Sequence, residues 1–186
     1  MRIWIAGAPR TGTTLLQLLM FAFEGVDVVI GERPLRLFVR IGDWEERRLV
    51  GKRVRGLFSG PLTPSELDTE VRLMRTVRPV VMVREVEEVT RPIPYIPDDP
   101  GKAVARETWD AAMDQLDRWG PDLKPVVVRY QDLLGHPGRV QIQLSQELDL
   151  HRLHRFEDFP AFLPDWVKAR AAPFDNYRPR PIGAPA

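Results

Sequence analysis

A chain of 186 residues, with 44% hydrophobic and 28% charged side chains, is long enough for one substantial core and short for two. Its 27 basic and 26 acidic residues leave a formal net charge of +1. That balance excludes a global field that would gather nucleic acid or an anionic membrane surface, so any anion site must be local. The absence of cysteine excludes disulfide and thiolate chemistry, and His136, His151 and His154 do not read as a metal cluster.

The opening MRIWIAGAPR lacks the apolar run and small-residue cleavage site of a secretory leader. The stretch from Leu15 to Phe23 is interrupted by Gln17 and falls far below the roughly 20 residues of a membrane span. A soluble, cytoplasmic protein with neither membrane nor nucleic-acid partner is expected, with the oligomeric state open.

Arg2 to Ala8 is short and mostly apolar, as a strand buried on both faces should be. Glycine and proline end it, and Thr13 to Phe23 (TTLLQLLMFAF) is apolar nearly all round, which predicts a helix packed inside a layered fold. Val26 to Ile30 (VDVVI) predicts a second strand, stopped by Gly31. From Arg33 to Arg55 the chain turns basic, with Arg33, Arg36, Arg40, Arg47, Arg48, Lys52, Arg53 and Arg55 set against Asp43, Glu45 and Glu46. This segment reads as a solvated helix-and-loop face, the alternative being a docking surface for an acidic acceptor.

After the turn residues SGPLTP, Glu66 to Val77 predicts a helix with Leu67, Val71 and Met74 at helical spacing. Val80 to Val83 (VVMV) predicts a strand ending at Arg84. The prolines of residues 91–101 exclude regular structure there. Ala103 to Trp119 predicts an amphipathic helix with Pro121 past its end. Pro125 to Arg129 predicts a strand that leads through Tyr130-Gln131-Asp132-Leu133 into a helix from about Pro137 to Leu148. Residues 1–150 are expected to form one α/β domain, and 151–186 an irregular, proline-rich tail packed on it.

Alternating strands and helices imply a three-layer α/β fold around a central parallel sheet, of the P-loop NTPase-like kind. Ligands of such sheets sit at the carboxyl ends of the strands. Four features end there: the loop after the first strand, Glu32, Arg84 and Tyr130. The loop itself, GAPRTGTT from Gly7 to Thr14, nearly matches the phosphate-binding pattern G-x-x-x-x-G-K-S/T. Gly7 and Gly12 let successive N–H groups converge on an anion, and the hydroxyls of Thr13 and Thr14 can join them. Thr13, however, stands where the lysine belongs, and Arg10 lies three residues earlier. A small-molecule kinase would need that lysine, and also a strand-end carboxylate for magnesium, where this chain has Arg84. A non-catalytic nucleotide-binding module is the other alternative.

These residues resemble a known family. APRTGTTLL is similar to the 5′-phosphosulfate loop of sulfotransferases, P-K/R-S/T-G-T/S-T/S followed by apolar residues. VVMVRE resembles the strand whose terminal arginine binds the 3′-phosphate of 3′-phosphoadenosine-5′-phosphosulfate, and VVVRYQDLL resembles the family's Y-E/Q-D-L segment. The pair Gly31-Glu32 after the second strand is similar to the tyrosylprotein sulfotransferase branch and related bacterial enzymes.

The resemblance implies a sulfuryl transfer from that co-substrate to an acceptor hydroxyl, without metal. Arg10 would stabilise the leaving phosphosulfate, and Thr11, Gly12, Thr13 and Thr14 would cradle it. Arg84, Thr90 and Tyr130 would bind the 3′-phosphate end, and Glu32 would be the general base. The basic residues 33–55 fit an acidic peptide or a glycan as the hydroxyl-bearing acceptor. Three departures stand beside this likeness. Pro92 occupies the place of the family's serine eight residues after the arginine, with Thr90 as its substitute. Phe58-Ser59-Gly60-Pro61 replaces a Lys-x-Pro element, so that a second cation must come from Arg33, Arg36 or Lys52. No nucleotide-closing loop is recognisable in residues 151–186.

Overall fold

Short apolar runs without polar alternation must be covered on both faces, as Arg2–Ala6 and Arg78–Val83 are, and among the described residues these two join three further segments in one parallel sheet. The computed structural model describes residues 1–32, 35, 48–52, 56–90 and 106–171. Its strands are β1 (Arg2–Ala6), β2 (Val26–Glu32), β3 (Arg48–Lys52), β4 (Arg78–Val83) and β5 (Val126–Arg129). They lie in the order β2-β3-β1-β4-β5, and every pairing is parallel. The described helices are α1 (Thr13–Leu19), α2 (Pro64–Met74), α3 (Val86–Thr90), α4 (Arg106–Leu123), α5 (Tyr130–Gly135), α6 (Pro137–Glu147) and α7 (Asp165–Ala171).

The two-residue period of the strands divides the interior into two cores. Ile3, Ile5, Val80, Met82, Val126 and Val128 meet Leu15, Leu16 and Leu19 of α1 and Val140 and Leu144 of α6 on one face. Trp4, Ala6 and Val81 meet Val71 and Met74 of α2 and the partly buried Leu116, Trp119 and Leu123 of α4 on the other. The helix following β1 therefore covers one face, while those following its two neighbours, β3 and β4, cover the opposite face. The crossovers thus diverge at the carboxyl end of β1, the place where doubly wound sheets put their ligands.

Several elements differ from the sequence expectation. β3 lies inside the basic segment read as a solvated face, and it inserts between β2 and β1. Val50 is fully buried and Lys52 only 6% exposed, so the charges at the strand's ends hide a sheet segment just three residues deep. The helix expected to stop at Trp119 runs on through Pro121 to Leu123. A proline in the last turn removes a single helical hydrogen bond, and Lys124 N–H still donates to Gly120. The helix after SGPLTP starts earlier than expected, at Pro64. Thr63 caps it in a reciprocal box with Glu66, and proline suits the first turn, where no partner exists for its missing N–H.

The expected irregular tail holds a 3-10 turn at Phe156–Asp158 and α7, and buries Phe156, Phe159, Leu163 and Val167 in the first core. Pro164 ends no helix here, because its carbonyl accepts the first bonds of α7 from Val167 and Lys168. The terminal RPRPIGAPA, the proline-rich stretch 91–101 and most of the basic segment lie outside the described residues. Among the described residues, no helix is long and apolar enough to cross a membrane.

Candidate functional site

The loop between β1 and α1 is shaped by close packing. At Gly7 a Cβ would stand 2.6 Å from both the Met82 carbonyl and the Thr11 hydroxyl, so only glycine lets β1 pass β4 there. Gly12 has φ 94, and a Cβ on it would overlap the ring of Tyr130. Between them Thr11 is fully buried and closes a turn, its N–H and hydroxyl both donating to Ala8 O at 3.2 and 2.7 Å. Thr11 thus builds the loop from inside, while Thr14 faces a partner outside it. Thr13 is 3% exposed and starts α1.

Arg10 occupies the outer corner of the turn with φ 70, a left-handed backbone that costs a Cβ-bearing residue about 1–2 kcal/mol. Its Nε and Nη1 atoms are shielded from solvent. Its carbonyl accepts from Arg84 Nη1 at 3.2 Å, a bond between residues 74 apart in sequence.

Lys52, one of the three cations the sequence offers as a second charge, lies at the carboxyl end of β3. Its Nζ donates to Thr14 Oγ1 at 2.6 Å across the boundary between β3 and β1. An ammonium that is 6% exposed is costly in a protein interior unless polar groups surround it, which makes its location at the loop informative. Arg33 and Arg36 lie outside the described residues. The stretch Phe58-Ser59-Gly60-Pro61 carries no cation but supports the loop from below. Ser59 Oγ accepts from Gly7 N–H at 3.4 Å, and Gln115 of α4 clamps the turn by accepting from Phe58 N–H and donating to Gly60 O, each at 2.7 Å.

Arg84 follows β4 and is held on three sides. The Tyr130 ring lies beneath it with the guanidinium carbon 4.2 Å from the centroid, Glu88 accepts from Nε at 2.6 Å, and the Arg10 carbonyl takes Nη1. Trp109 donates Nε1–H to the Arg84 carbonyl at 2.9 Å. Trp166 packs edge-on against Phe21, with centroids 6.2 Å apart. Thr90 sits in α3 and donates its hydroxyl to Val86 O at 2.8 Å. Pro92 lies outside the described residues.

Glu32 ends β2, and its backbone is in register with Lys52. Two interstrand spacings put its Cα about 10 Å from β1. The carboxyl ends of all five strands therefore contribute a singled-out residue or loop: Glu32, Lys52, Gly7–Thr14, Arg84 and Tyr130. Among the described residues, no three His, Cys, Asp or Glu side chains gather as a metal site.

No protein-family model matches the chain. No curated protein matches it either. Among solved structures it is similar to the mouse sulfotransferase SULT7A1 complexed with PAP, at 12% identity and a TM-score of 0.51. The likeness covers 92% of this chain and 63% of that one, so the chain spans less than two thirds of the neighbour's length. The five-stranded parallel sheet and its flanking helices thus give this chain a sulfotransferase-like α/β fold.

Proposed function

We propose that this chain transfers a sulfuryl group from 3′-phosphoadenosine-5′-phosphosulfate to an acceptor hydroxyl, with residues 1–150 as the working domain. The observation that carries the proposal is the buried Lys52 ammonium on the Thr14 hydroxyl, which puts a cation beside the loop although position 13 lacks one. The donor needs two anion sites. Lys52 and Arg10 serve the 5′-phosphosulfate, and Arg84 serves the 3′-phosphate as a charge-assisted donor with Tyr130 beneath it.

In the reaction the acceptor oxygen attacks sulfur as the bond between sulfur and the bridging phosphate oxygen breaks. The electron pair leaves on that oxygen, and the proton goes to Glu32. Charge thus accumulates on the bridging oxygen, where Arg10 and Lys52 act, and fixed donors aimed at developing charge are the largest single source of such catalysis. Thr14 orients the ammonium, Gly12 and Thr13 bring backbone N–H groups to the phosphate, and Thr90 joins Arg84 and Tyr130 at the 3′-phosphate end. The proposal extends the likeness to the PAP-complexed neighbour from fold to chemistry, and it draws its support from these residues.

Calorimetric titration with 3′,5′-adenosine bisphosphate beside ATP–Mg tests it. Micromolar binding of the bisphosphate, and ATP–Mg at least about tenfold weaker, is expected. Tight ATP–Mg binding with none of the bisphosphate would sink it.

A further inference from the structure

Arg84 contacts more than a nucleotide phosphate would require. Arg10, the corner of the loop, adopts φ 70, and two sets of bonds hold it there. One is the local turn in which Thr11 bonds back to Ala8. The other comes from a different strand end, where Arg84 Nη1 donates to the Arg10 carbonyl at 3.2 Å. The donor is itself immobilised, since Glu88 takes its Nε at 2.6 Å and the Tyr130 ring supports its face. The ring also abuts Gly12, where a Cβ would overlap it, so loop and arginine rest on the same aromatic plate.

We infer that Arg84 is a positioning residue for Arg10: by donating Nη1–H to the Arg10 carbonyl it holds the left-handed turn that aims the Arg10 side chain. Its catalytic consequence rests on the sulfuryl-transfer reading above. A guanidinium has further N–H donors beyond those given to Glu88 and Arg10, so a 3′-phosphate can be bound without releasing the loop. Occupying those donors immobilises Arg84 further, and with it the turn. The end of the site that recognises the nucleotide and the end that stabilises the leaving group are then joined by one hydrogen bond. Arg84 contributes to turnover even with a donor it cannot touch.

Two readouts test this in wild type, Arg84→Ala and Arg84→Lys. The first is hydrogen–deuterium exchange over residues 7–12 of the ligand-free protein, with melting temperature as the control for folding. The second is turnover with adenosine 5′-phosphosulfate, a donor that has no 3′-phosphate. Loop exchange is expected to rise about tenfold in both variants, and turnover with the truncated donor to fall roughly ten- to a hundredfold at little-changed KM, as for loss of a charge-assisted hydrogen bond. Loop exchange at the wild-type rate, with losses confined to the 3′-phosphorylated donor, would overturn the inference.

If Arg84→Ala fails to fold, Glu88→Gln decides. It keeps the arginine but loosens its anchor, so loop exchange should rise about threefold, and no rise counts against the inference. Faster loop exchange in a protein whose wild type binds no adenosine nucleotide would leave the Arg84–Arg10 link standing and remove the sulfuryl-transfer reading. Intact nucleotide binding with an unchanged loop would do the reverse.

Discussion

Replacing Lys52 by methionine removes one charge and little volume from the boundary between β3 and β1. A phosphosulfate oxygen sharing the Thr14 hydroxyl lies about 4 Å from the ammonium, and at an effective dielectric of about 20 such a pair is worth about 4 kcal/mol. With that charge divided evenly between the bound donor and the breaking bond, about 2 kcal/mol falls on binding and about 2 kcal/mol on turnover. Each corresponds to about a thirtyfold loss. The bond to Thr14 is also lost, at about 1–3 kcal/mol of stability, and a chain of this size shifts its Tm by about 2–4 °C per kcal/mol. Calorimetry with the bisphosphate, turnover on the full donor and a melting curve separate the three terms. A Lys52→Met protein that melts within this range yet keeps wild-type affinity and turnover would refute the assignment of Lys52 to the transferring group.

Glu32→Gln is expected to lower turnover by about two to four orders of magnitude while bisphosphate affinity stays within about twofold; an unchanged rate would remove Glu32 as the base. Gly12→Ala must place a methyl group in the Tyr130 ring at a left-handed backbone, so a stability loss of about 2–5 kcal/mol is expected in urea, together with weaker nucleotide binding. Leu16→Ala, at a fully buried position of α1, is expected to cost about 2–5 kcal/mol in the same urea titration while leaving the donor KM near wild type.

Much of this architecture was legible because its determinants are local. The apolar strand, the two glycines and the apolar helix from Arg2 to Leu19 follow one another without interruption, and their packing agrees with that order. Arg84 and Tyr130 could be placed from the sequence because Arg84 directly follows the apolar run Val80–Val83 and Tyr130 comes one residue after Val126–Val128. β3 could not, since only Leu49, Val50 and Gly51 separate Arg48 from Lys52, and a charge run normally marks a solvated face. The Lys52 ammonium meets Thr14 because β1 lies beside β3, a pairing that no local pattern announces. The short helices α3 and α5 were hidden for a different reason, being too brief for a helical period to show.

The bond from Arg84 to the Arg10 carbonyl joins residues 74 apart, and no pattern in the chain announces it. Proline punctuation similarly concealed α7, where Pro164 begins a helix that carries Val167 into the core.

The central claim is that five strand ends form one donor site, and the structure of the complex with 3′,5′-adenosine bisphosphate tests it most directly. The account predicts the 5′-phosphate within hydrogen-bonding distance of Lys52 Nζ and the loop, and the 3′-phosphate on the Arg84 guanidinium above Tyr130. A bisphosphate bound away from the carboxyl ends of β1, β3 and β4, or one whose 3′-phosphate leaves Arg84 untouched, would contradict it.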